Sequence, residues 1–185
     1  MMMLDRRIRT EGFLFLAAYI ACIPIANWLV QHVGTVCVPD GPCLIPVGPG
    51  MMAPSGVLMV GLALVLRDLV QRRLGAVYGL AAIGVGTALS AALAPAPLVI
   101  ASAVAFLFSE LADFAIYTPL QKRGLVRAVA ASSLAGLVMD SLLFLWLAFG
   151  SLEFLAGQIV GKAVIVVLTL PAIDWLRRRD RRLGI

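Results

Sequence analysis

One histidine, His32, is all the imidazole this chain holds, and charge of either sign is nearly as scarce, at 14% of 185 residues. Each shortage excludes something. With one histidine and three scattered cysteines, no His/Cys/carboxylate cluster has the spacing of a metal site, and none is expected. Ser132 and Ser133 have no histidine to activate them as nucleophiles, and GxSxG, HExxH and Walker-type loops are missing. These absences speak against a membrane enzyme, and no cofactor is implied. The low charge also excludes an ordinary soluble domain. Such domains average ~25% charged and ~45–50% apolar residues, whereas 62% of this chain is hydrophobic and its mean hydropathy is +1.01. A core of this size could not bury that much apolar surface, so most of it must face lipid or neighbouring helices.

What the chain has instead is long apolar runs, roughly 12–33, 53–70, 76–94, 98–118, 126–150 and 154–175. Each approaches the ~20 residues that cross a bilayer, about twice the length of a buried strand. The first run is too long for the apolar core of a signal peptide, and its end, QHVGTV, has no small-residue cleavage site. The expected fold is all-α: an integral membrane protein with six transmembrane helices in one bundle, a single domain over residues 1–185.

Positive charge is missing from every second connection. Thirteen of the fifteen Lys and Arg residues fall before the first run, between the second and third, between the fourth and fifth (with Arg127 at the very start of the fifth), or after the sixth. The other two, Arg67 and Lys162, lie inside runs. The positive-inside rule therefore places both termini in the cytoplasm. The terminal RRRDRR reads as a topology anchor at anionic lipid and not as a nucleic-acid site. The outer loop 34–52, VCVPDGPCLIPVGPG at its centre, is expected to cap an outward-facing cavity. It carries Cys37 and Cys43 on the oxidising side, where a short disulfide is permitted; two free thiols are the alternative.

Small residues four apart, Gly75 and Gly79, then Gly157 and Gly161, let helix backbones approach closely in lipid. Internal packing is the favoured use, and a homodimer face is the other.

Polar residues are few and lie on particular faces. Phe106, Glu110, Asp113 and Tyr117 share one face of the fourth span; Ser133, Gly136, Asp140 and Phe144 share one of the fifth. Gln158 and Lys162 lie together on the sixth, Asn27 on the first, and Arg67 and Asp68 on the second. Counting ~1.5 Å per residue, Asn27, Asp140, Gln158 and Lys162 fall in the outer half, Glu110 and Arg67 near the middle, and Asp113 and Asp68 below it. Left facing lipid, Arg67, Glu110, Asp113, Asp140 and Lys162 would together cost on the order of ten kcal/mol. They must pair or line water, which describes a polar cavity with a charged floor. Pure bundle-locking ion pairs, Lys162 with Asp140 or Glu110 and Arg67 with Asp113, are the structural alternative.

From about Asn27 onward the residues resemble the queuosine precursor transporter family, also called VUT. The resemblance is carried by PSGVLMVGLALVLRDLVQRRLG, ASAVAFLFSELADFAIYTPLQKR, SSLAGLVMDSLLFLWLAFG and GQIVGKAVIVVLTLP. The chain departs from it at the end of the second span, where many relatives carry D-x-x-x-E-x-x-G and this chain has RDLVQRRLG. The resemblance implies import of 7-cyano-7-deazaguanine, 7-aminomethyl-7-deazaguanine or queuine across a bacterial inner membrane. It also implies a fold similar to the substrate-binding subunits of energy-coupling-factor vitamin transporters, which keeps docking on an energy-coupling module open.

A deazaguanine offers two adjacent N–H donors that one carboxylate can accept as a fork. Glu110 or Asp140 is the expected reader of that edge. Asn27, Gln158 or Lys162 would serve the carbonyl or the 7-substituent, and Phe106, Tyr117 or Phe144 the ring face. Asp113 and Arg67 are then expected as an inner, gating pair, with Asp68 beside them.

Overall fold

The structure, a computed structural model, describes residues 2–39 and 41–184. Six long helices follow the apolar runs: α1 (Met2–His32), α2 (Val57–Leu74), α3 (Ala76–Leu93), α4 (Val99–Leu120), α5 (Leu125–Phe149) and α6 (Leu155–Leu183). A 3-10 turn, Ala96–Leu98, leads into α4, because Pro95 and Pro97 cannot continue α3. At the end of α5, Gly150 takes the left-handed conformation (φ 61°) and its N–H closes on the Trp146 carbonyl.

Five of the helices, α1 and α3 to α6, are long and apolar enough to cross a membrane. Helix α2 has 18 residues but carries Arg67, Asp68, Arg72 and Arg73, so by composition it does not stand with the others. Packing explains how it can be so polar. Helix α2 touches each of the other five, and Arg67, Asp68, Gln71 and Arg73 are all buried against them. The outer helices carry the apolar surface: Leu14, Val77, Ile100, Trp146, Leu168 and Trp175 are exposed. This is the pattern of a bundle in hydrocarbon, with polar groups turned to the axis.

Two apolar clusters flank that axis. One joins Leu64, Leu69, Tyr117, Val129, Leu137 and Val166 of α2, α4, α5 and α6. The other joins Tyr19, Ile23, Ala63, Ala82 and Phe106 of α1 to α4. Close backbone approach at two glycines brings the helices in. A methyl on Gly61 would sit 2.8 Å from the Lys162 carbonyl oxygen, and one on Gly136 would sit 2.8 Å from a Leu64 methyl and 3.1 Å from Asp113 Cβ.

The all-α expectation needs one correction. The outer loop contains a three-stranded antiparallel sheet, β1 (Val36–Cys37), β2 (Cys43–Gly48) and β3 (Met51–Pro54). The second apolar run therefore starts as strand, and its helix begins at Val57 and not at 53. Cys37 pairs with Cys43 across β1 and β2, and the two are disulfide-bonded. The sheet packs on α6 and on the end of α1. Gly157 makes the α6 contact possible, since a methyl there would lie 2.0 Å from the Met52 carbonyl oxygen.

At the opposite, basic end, Asp180 of α6 is fully buried. It accepts from Arg72 (2.7 Å) and from both ends of the Arg73 fork (2.8 and 3.0 Å). Glu11 of α1 joins this clasp through Arg73 (3.2 Å) and Arg179 (2.6 Å).

Candidate binding cavity

A cavity of about 100 Å³ opens between the helices at the sheet end, lined from α1, β3, α2, α3, α4, α5 and α6. Most of its wall is apolar. Its polar side chains come from five helices: Asn27 on α1, Ser90 on α3, Ser102 on α4, Asp140 on α5, and Gln158 with Lys162 on α6.

Helical spacing sets the α6 pair. Gln158 and Lys162 are one turn apart, so Lys162 Nζ can donate back to Gln158 Oε1 at 2.6 Å. The same ammonium donates to Asp140 Oδ2 (2.5 Å) and to Ser141 Oγ (2.8 Å). An ammonium has three protons, so Lys162 is saturated by the protein. Its partners keep open valences. Asp140 Oδ1 accepts from nothing among the described residues, and the Gln158 side-chain N–H₂ donates to nothing. The cavity thus presents one free anionic acceptor and one free amide donor on neighbouring helices. Asn27 is partly committed, donating to the Ile23 carbonyl at 3.0 Å.

Two aromatic rings complete the wall, Phe106 and Phe144. Phe106 is wedged against Tyr19, with ring centroids 6.3 Å apart, and fills the space over Gly86, where a methyl would come within 2.7 Å of the ring. Phe144 packs edge-on against Phe149 at 6.0 Å.

Below Phe106 lies a second polar group, out of the cavity lining. Arg67, buried on α2, donates from Nε to Glu110 Oε2 (3.3 Å) and from Nη1 to Gln71 Oε1 (2.7 Å); Nη2 donates to Asp113 Oδ1. Asp68 Oδ1 lies 2.7 Å from Nη2 as an ion contact without hydrogen-bond alignment, and Ser132 donates to Asp68 Oδ2 at 2.8 Å. The guanidinium also sits 5.6 and 5.7 Å from the ring centres of Phe114 and Tyr117. Gln71 continues the chain to Thr118 at 2.9 Å.

Of the residues singled out in the sequence, Asn27, Phe106, Asp140, Phe144, Gln158 and Lys162 line the cavity. Arg67, Asp68, Asp113 and Tyr117 gather beneath it. Glu110, expected to face the ligand, sits instead with Arg67, because its turn of α4 points into the guanidinium of α2. Lys162 faces the cavity but has no proton left over. Tyr19 and Ser141 were missed. Tyr19 belongs to a stripe with Cys22, Ile23, Ala26 and Val30 on α1, where nothing but ring size distinguishes it from packing. His32 stacks on Trp28 at 5.3 Å, outside the cavity.

Residues 57–176 match a family model described as “Putative vitamin uptake transporter”. The chain belongs to this family. No curated protein and no solved structure matches it. The VUT match runs from the first turn of α2 to Leu176 of α6, so it contains the whole Arg67 group as well as Asp140, Gln158 and Lys162. It starts later than Asn27, which together with Tyr19 lies on α1 outside the matched region. A transporter family and five membrane-length apolar helices make this a multi-pass membrane protein.

Proposed function

We propose that this VUT protein imports queuosine precursors, the 7-deazaguanines, across a bacterial inner membrane, with the sheet end outside and both termini in the cytoplasm. In this reading α2 is a sixth span, tolerated in the bilayer because the other five helices enclose its charges. The observation that carries the proposal is the pair of open valences at Asp140 Oδ1 and the Gln158 amide, between Phe106 and Phe144.

A deazaguanine edge needs a carboxylate acceptor for its N–H groups and a donor for its carbonyl, and a flat ring needs an aromatic face. Asp140 is the group assigned to the N–H edge, Gln158 and Asn27 to the carbonyl side, and Phe106 with Phe144 to the ring faces. Lys162 holds Asp140 and Gln158 in position. A site that must be hydrogen-bonded rejects ligands lacking those groups, which suits a scavenger among mixed purines. Arg67 with Asp68, Glu110, Asp113 and Tyr117 is assigned to the closed inner gate.

Uptake of labelled 7-cyano-7-deazaguanine by cells that cannot make it tests this reading. Wild type restores uptake, and Asp140→Asn and Gln158→Leu each reduce it at least tenfold. Wild-type uptake by both variants would remove the assignment.

A second reading rests on the exposed Ala17 and Ala21 of α1, four apart on an unpartnered face. Such a face fits docking on an energy-coupling ATPase. The protein would then be the vitamin-type substrate-binding subunit, and an ATPase would co-purify with it.

A further inference from the structure

Four carboxylates and two cations are buried along the bundle axis: Asp68, Glu110, Asp113 and Asp140 against Arg67 and Lys162. Lys162 matches Asp140. Arg67 is left alone against three carboxylates, each 2% exposed or less. The other groups around them are Tyr19 and Cys22 from α1, Tyr117 from α4, Gln71 from α2 and Ser132 from α5, none of them a cation; Asp140 of α5 acts on Glu110 as a further negative charge, and the cation Arg72 of α2 reaches Tyr117 but is paired with Asp180. With all three acids ionised the group would carry two uncompensated negative charges, in a setting where even matched ions are costly. Arginine stays protonated, so neutrality can come only from protons on the carboxyl groups.

Unsatisfied atoms mark where those protons fit. Among the described residues Asp68 Oδ1 and Asp113 Oδ2 accept no hydrogen bond, and the buried Tyr19 hydroxyl, which faces Glu110, has no partner. A carboxyl proton supplies the donor that these oxygens lack. A metal cation does not fit, because the guanidinium fills the space between the acids, and no group of three His, Cys, Asp or Glu side chains among the described residues is disposed to hold one.

The position of the group links it to the cavity. Glu110 is one helical turn from Phe106, which lines the cavity, and Asp113 is a further turn toward the basic end. The Arg67 contacts tie α2 to α4 on the inner side of the cavity. We propose that Glu110 and the Arg67 group form a proton-carrying site that couples entry of the base to entry of a proton. This rests on the transport reading above. Glu110, one turn below the cavity wall at Phe106, takes a proton that enters from the outer side. When α2 and α4 part to release the base, Arg67 separates from the acids, the carboxyl group meets cytoplasmic water and the proton leaves. No other co-reactant is needed.

The test uses the full chain in liposomes, labelled 7-cyano-7-deazaguanine, an outside pH one unit below the inside, and a membrane potential clamped at zero. Wild type should concentrate the base up to about tenfold, since one pH unit is a tenfold driving force. A pH dye trapped inside should report acidification when the base is added, which needs no variant. Glu110→Gln should concentrate the base no more than onefold, and the wild-type acidification carries the test should this variant fail to fold. Wild-type accumulation independent of the gradient, no acidification, or wild-type accumulation by Glu110→Gln would each overturn the coupling while leaving the substrate reading standing. Failure of wild type to bind the base would overturn the substrate reading, and this inference with it.

Discussion

Lys162 and Asp140 meet at 2.5 Å across α5 and α6, and the contact uses one carboxylate oxygen and leaves the other facing the cavity. The pair is therefore at once a brace and half of a binding site. Removing one partner of such a pair strands the other as a buried charge, which costs ~3–5 kcal/mol, whereas removing both is often near neutral. Lys162→Met alone should lower the melting temperature sharply, and Lys162→Met with Asp140→Leu should recover most of the loss. The double variant should bind no base. Equal destabilisation by the single and double variants would show that the pair is not coupled.

Glycines give a second, purely steric prediction. A methyl at Gly157 would lie 2.0 Å from the Met52 carbonyl oxygen, while one at Gly84 meets nothing within 4 Å. Gly157→Ala should push the sheet off α6 and lower thermal stability. Gly84→Ala should be neutral or stabilising by up to ~1 kcal/mol, from the helical entropy of glycine alone. Melting curves of the two purified variants decide this, and equal effects would contradict the packing described.

Thiol counting checks the sheet. With Cys37 bonded to Cys43 and Cys22 buried, the folded protein should take up no maleimide. Mild reduction should expose one thiol, that of Cys37, since Cys43 is as buried as Cys22, and denaturation after reduction should expose three. A reactive thiol before reduction would show that the strands pair without the bond.

The helices could be read from the sequence because hydrocarbon demands continuous apolar runs, and a run of twenty residues has few other uses. The sheet could not. Residues 34–52 hold four prolines, at 39, 42, 46 and 49, and a proline-rich loop gives no period-two signal. Its pairing depends on the Cys37–Cys43 register and on the flat landing place that Gly157 provides. Within the cavity, periodicity placed Asp140, Gln158 and Lys162 on inward faces but could not say which partners met there. Glu110 illustrates the limit. A helical face says which way a side chain points but not what stands opposite, and opposite Glu110 stands Arg67. Tyr19 carried no signal, because a lone aromatic residue in an apolar helix looks the same whether it packs or faces an acid.

The open valences at Asp140 and Gln158 make a claim that can be read directly from binding. The decisive measurement is thermal stability of the purified protein against 7-cyano- and 7-aminomethyl-7-deazaguanine, queuine, guanine and a set of vitamins, since a ligand that binds only the folded state raises the melting temperature with its concentration. The account predicts a concentration-dependent rise with the deazaguanines that disappears in Asp140→Asn. A rise with a vitamin and none with any deazaguanine would contradict it.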